Sequence, residues 1–245
     1  MLTEDVIRET SVDIITGAIV LLAVLVFLSI FFSQKSEKLK TILFVLIVLA
    51  VILPTAYFAI TTVMLNVTSE TGGPVHWHAD FKIFVCGKEM PPPIPKGLSN
   101  KVGSTVLHEH EDRRIHVEGV LTRIQDASLR NFFRVQGGEL SNSHFTIPTG
   151  EDKGTVTFTN GDRCDGGEQG TWQAYVYKVV GREGEKHVVE QSKLMPFADY
   201  VLSPHAAVPP GDCIILEFGP EKDSTGAICD FYEIQKQEGN LILQS

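Results

Sequence analysis

Residues 14–32 and 41–65 contain no charged side chain. Each run is long enough to cross the ~30 Å hydrocarbon layer of a bilayer as a helix. A soluble helix of that length carries a polar stripe on its solvent face, and neither run shows one. Residues 1–65 are therefore expected to form a transmembrane helical hairpin, with helices at about 14–32 and 41–65. Pro54 falls inside the second run and is expected to kink it, which membrane helices tolerate. The first run does not read as a cleavable signal. Its leader is acidic, with Glu4, Asp5, Glu9 and Asp13 against Arg8, and no small-x-small cleavage site follows it.

The connector carries Lys35, Lys38 and Lys40 against Glu37. Positive loops stay cytoplasmic, so the expectation is an integral protein of the cell membrane with both termini extracytoplasmic. The bilayer is its first partner. Thr55, Tyr57, Thr61 and Thr62 in the outer half of the second run point to packing against another helix, and hence to other membrane subunits as further partners.

Residues 66–74 read as a linker and 75–245 as one β-rich extracytoplasmic domain. Four of the 21 basic and five of the 30 acidic side chains precede residue 66, leaving 17 against 25 beyond it, a balance of −8. A nucleic-acid-binding surface has the opposite sign, so no nucleic-acid partner is expected. Cys86, Cys164, Cys213 and Cys229 all lie in this domain. An even count outside the membrane suggests two disulfides. Three pairings exist; the spacing of 16 favours Cys213–Cys229, leaving Cys86–Cys164.

Residues 76–86 alternate in polarity, as a half-buried strand does. Further strands are expected over 105–110, 115–120, 155–159, 171–180, 186–191, 213–218 and 228–234. Asp126 is the candidate N-cap of one short helix, 127–135, whose Leu129, Phe132 and Phe133 give an apolar face. The implied fold is a mostly antiparallel β domain with one inserted helix, α+β of β-grasp type. The alternative is a β-sandwich.

Five of the eight histidines fall in two short stretches: His76-Trp77-His78, and His108-Glu109-His110 followed by His116. Alternate side chains of a strand share a face, so each His-x-His pair can aim two imidazoles at one point. Neutral imidazole is the commonest metal ligand near neutral pH. His76, His78, His108 and His110 are the expected core of one site, with His116 as a fifth candidate. Asp80, Glu109, Asp112 and Glu118 are candidate ligands or partners for an imidazole N–H. Three or four histidines suit divalent zinc or copper. His144, His187 and His205 are isolated and read as structural or exposed.

Known His-x-His signatures do not fit. Lys82 and Ile83, or Arg114 and Ile115, stand where a cupin motif needs glutamate. His76, His78, Leu107, His108, His110, Ile115, His116, Glu118, Phe132 and Phe133 together resemble a set of uncharacterised prokaryotic membrane-anchored ectodomains. The pattern spans about 60 of the 245 residues and implies no activity.

The reading that follows is a membrane-tethered extracytoplasmic protein that binds copper or zinc, for capture, delivery or sensing, or as a subunit of a larger membrane complex. One alternative is an enzyme in which a metal-bound water attacks substrate, with Glu109 or Glu118 as general base. The other is a structural or interaction ectodomain whose histidines bind nothing. No catalytic residue is assigned: the chain has no Gly-x-Ser-x-Gly and no phosphate-binding loop.

Overall fold

The computed structural model describes residues 4–32, 36–93, 95, 99–148, 154–202 and 211–244. Lys35 and His205 lie outside the described residues. Two helices come first, α1 (Glu4–Phe32) and α2 (Glu37–Thr68). At 1.5 Å per residue they are ~44 and ~48 Å long, so both are long and apolar enough to cross a membrane. Only 6% and 11% of their most apolar stretches are buried, whereas the core helix of a soluble protein would be mostly covered. They touch each other along Leu25, Leu43 and Ala50. Helix α2 continues through Pro54 and past Leu65 to Thr68.

The segment after α2 is held to the domain. Glu70 N–H donates to the Thr122 carbonyl at 3.2 Å, and Ile124 N–H donates to Glu70 Oε2 at 2.7 Å. The chain then enters β1 (Pro74–Val85), hairpin partner β2 (Lys88–Met90), β3 (Val102–Gly103), β4 (Leu107–Glu109) and β5 (Arg114–Val120). A 3-10 turn (Ile124–Ala127) leads to α3 (Leu129–Val135). The small strands β6 (Glu139–Leu140), β7 (His144–Pro148) and β8 (Thr155–Thr159) form a separate three-stranded sheet. The long strands β9 (Thr171–Glu183), β10 (Lys186–Leu194) and β11 (Asp212–Gly219) return to the main sheet, and α4 (Asp230–Gln237) and β12 (Leu241–Gln244) follow.

The main sheet has nine strands in the order β12-β10-β9-β11-β1-β5-β4-β3, with β2 beside β1. Most pairings are antiparallel, but β1/β11 and β10/β12 are parallel. The middle five strands, β5-β1-β11-β9-β10, have the topology of a β-grasp. An opening antiparallel pair is crossed by a helix, and the last strand inserts parallel to the first. The domain is α+β, as expected from sequence, and not a pure sandwich.

Side chains of β1 alternate as the pattern requires. Trp77, Ala79, Phe81, Ile83 and Val85 face a core shared with α3. The Phe81 ring packs edge-on to Phe132 and Phe133, with centroids 5.3 and 5.9 Å away. Full burial of each such ring stabilises the fold by about 1.5–3 kcal/mol. A second, smaller core lies around Tyr175, Tyr177, Ile215 and Tyr232, under α4. Disulfides Cys86–Cys164 and Cys213–Cys229 are formed, the latter tying β11 to the residue that begins α4.

Three details differ from the sequence reading. The helix expected from 127 begins at Leu129, and its cap is Ser128, whose hydroxyl accepts from Asn131 N–H at 3.4 Å. Asp126 instead closes the preceding 3-10 turn by accepting from Arg123 N–H at 3.3 Å. Residues 228–234 are not the closing strand: most of them belong to α4. Asp230 and Glu233 sit in its first turn and Lys236 in its last, where each favours the helix dipole. Strands number twelve among the described residues: β7, of five residues, and β2, β3, β6 and β12, of two to four each, were not expected from sequence and are set by their neighbours rather than by their own pattern.

Candidate metal centre

The register of the main sheet assembles the histidines. In the β1/β5 ladder His76 lies opposite Glu118 and His78 opposite His116. On the other side of β5, His108 of β4 also lies opposite His116. The two His-x-His strands are thus not neighbours. β5 runs between them, and His116 is the middle of the cluster rather than a fifth candidate at its edge. Its ring centroid lies 4.7 Å from that of His78, 5.6 Å from His108 and 4.8 Å from His110. All five histidines share the sheet face opposite α3.

Four residues converge most tightly. One ligand atom from each of His76, His78, His116 and Glu118 lies within 4.8 Å of the others. His76 Nε2 is 3.0 Å from His78 Nε2 and 3.2 Å from Glu118 Oε1. Ligands at about 2.0–2.1 Å around a tetrahedral zinc ion lie about 3.3 Å apart, so these two edges already have the size of a coordination polyhedron.

The hydrogen bonds of His116 say how it is used. Nε2 lies 3.0 Å from Asp112 Oδ2. A carboxylate accepts only, so this nitrogen carries the proton and the opposite one, Nδ1, has a free lone pair. Nδ1 is buried, has no hydrogen-bond partner, and stands 3.7 Å from Glu118 Oε1. A lone pair facing a carboxylate oxygen with no proton between them is unfavourable; a cation between them reverses the sign. The Asp112–His116 bond is the carboxylate–imidazole support that metal-ligating histidines commonly have.

Local backbone builds that support. Glu111 and Arg113 take left-handed conformations, φ 67° and 57°, which turn the chain sharply between β4 and β5. Asp112, between them, accepts from Arg114 N–H at 3.2 Å and reaches back to His116. At β3, Gly103 has φ +123°, and a Cβ there would collide with the Leu107 carbonyl oxygen and the His108 backbone. Only glycine lets β3 lie so close over β4.

Burial sets the charge state. His108 is 1% exposed, and burial, then nearby Lys101, lowers its pKa to about 4. Burial, then the imidazoles of His116 and His76, lowers His78 to about 4 as well. Both rings are therefore neutral at neutral pH, the form that binds metal. The His76 side chain is 64% exposed, so one ligand of the group opens to solvent.

The other candidates fall elsewhere. Asp80 faces the same side but is held by Arg114, with Nε at 2.6 Å and Nη2 at 3.3 Å. Glu109 alternates with His108 and His110 and so points to the opposite, interior side. It is fully buried, accepts from Arg113 N–H at 3.1 Å, and its pKa is raised by burial. His144 bonds Ser141 on the small sheet, and His187 sits beside β12. Asp112 is the residue whose role sequence alone did not single out.

No family profile, curated protein or solved structure matches the chain.

Proposed function

We propose that the protein is a membrane-anchored, extracytoplasmic metal-binding protein, taking divalent copper or zinc at His76, His78, His116 and Glu118. The observation that carries this is the buried, unpartnered Nδ1 of His116 facing Glu118, with His76 and His78 completing the group. Three imidazoles and one carboxylate suit either ion. Two disulfides support an oxidising compartment for the domain. The apolar, largely uncovered α1 and α2 support a bilayer anchor, and the lysine-bearing connector supports a cytoplasmic turn. Metal capture or delivery at the membrane surface is the role that fits an open site with one exposed ligand.

The test is metal content and metal-induced stabilisation of the detergent-solubilised chain. Binding to the folded form raises stability by mass action, about 2.7 kcal/mol at a hundredfold excess over Kd. The His78→Ala/His116→Ala variant should lose both metal and stabilisation, while His187→Ala, on β10, should retain them. Unchanged copper and zinc binding in the double variant would refute the reading.

A further inference from the structure

Glu118 presents its two carboxylate oxygens to two different sets of histidines. Oε1 faces His76 Nε2 at 3.2 Å and His116 Nδ1 at 3.7 Å. Oε2 faces His108 Nε2 at 3.7 Å. His110 is fixed in a matching way. Its Nδ1 lies 2.9 Å from the Asn100 carbonyl oxygen, which can only accept, so Nδ1 carries the proton and Nε2 keeps a lone pair. The rings of His108 and His110 are 4.8 Å apart, and that of His110 is 4.8 Å from His116. His108 is almost wholly buried, and its Nδ1 has no hydrogen-bond partner. Two imidazoles and a carboxylate oxygen thus stand beside the four-residue group, unused by it.

We propose that His108, His110 and Glu118 Oε2 hold a second metal ion, so that the centre takes two ions with the Glu118 carboxylate bridging them. This rests on the metal-binding reading above. A carboxylate bridge fits two ions about 3.5–4 Å apart, the spacing of two-metal sites. The first ion is bound by His76, His78, His116 and Oε1, and the second by the β4 pair and Oε2. His116, whose ring lies between the two histidine pairs, is anchored by Asp112.

The decisive experiment titrates copper(II) into the full, solubilised, metal-free chain, followed by calorimetry and electron paramagnetic resonance. Two equivalents should bind, and the spectrum of the first should lose intensity as the second enters, because ions sharing a carboxylate couple magnetically. His108→Ala/His110→Ala should bind one equivalent with an uncoupled spectrum. His110→Ala alone removes a partly exposed ring, and should weaken the second equivalent about tenfold or more. It decides the matter if the double variant does not fold. A wild-type chain that saturates at one equivalent, unaffected by His110→Ala but lost on His78→Ala/His116→Ala, overturns the second position and leaves the first standing. A wild-type chain that binds neither copper(II) nor zinc overturns both.

Discussion

The aim of the central imidazole, His116, is decided by one neighbour. Asp112 accepts a hydrogen bond from the Nε2–H of His116 and so turns its Nδ1 lone pair inward. Removing that charge should matter without removing any ligand: Asp112→Asn should weaken zinc or copper binding about 10–100-fold, the usual cost of losing such a support. Competition against a chelator of known affinity measures it, and an unaltered Kd would show that the Asp112 contact does not orient the ring. The histidines and Glu118 were legible in the sequence because strand alternation is local and has a period of two. The central place of His116 was not. It depends on β5 lying between β1 and β4, a non-local pairing. Asp112 was one acid among several until two left-handed residues directed it.

At the level of elements, α4 shows how a helix hides in a strand-like stretch. Residues 228–234 hold Ile228, Phe231, Tyr232 and Ile234, a β-forming composition, yet only Tyr232 and the adjoining Cys229 are buried. The helical signs were the acidic start and Gly239, φ +77°, just past its end. Contacts outside the segment then hold it. Asp230 pairs with Lys82 at 2.5 Å and with Arg113 at 2.8 Å. The Lys82 hydrogen bond, and after it that of Arg113, hold the Asp230 carboxyl below the usual carboxylate range. A lowered folded-state pKa gives stability that is present above the unfolded value, near 3.9, and is lost as pH falls through the lower folded one. The side chain is 51% exposed, so screening keeps the contribution to about 1 kcal/mol or less. In metal-free protein, the Tm advantage of wild type over Asp230→Asn should be present at about pH 6 and shrink towards about pH 3. An advantage that is the same at both would count against the ion pair as the docking contact.

For the whole molecule, the two long apolar helices and the fold class followed from patterns several residues long. The sheet order did not, because β11 returns to pair parallel with β1 from more than a hundred residues away. Orientation is tested by labelling. With both ends outside, a Thr3→Cys chain in intact cells should react with a membrane-impermeant thiol reagent. No free native thiol exists among the described residues to give background. Labelling that appears only after lysis would put the histidine cluster in the cytoplasm and make the two disulfides inexplicable there.

The join between α2 and β1 has little slack. Glu70 is hydrogen-bonded on both its backbone and its side chain to the stretch just beyond β5, and His76 is only eight residues past the end of α2. The centre therefore stands at the foot of the domain, on a post rather than on a leash. An ion bound there as proposed would cross-brace β1 and β5, the strands that carry His76, His78, His116 and Glu118. Loading and unloading it would be felt as stiffness at the top of α2, and any helix that packs against α2 would meet a different neighbour when the centre is full than when it is empty.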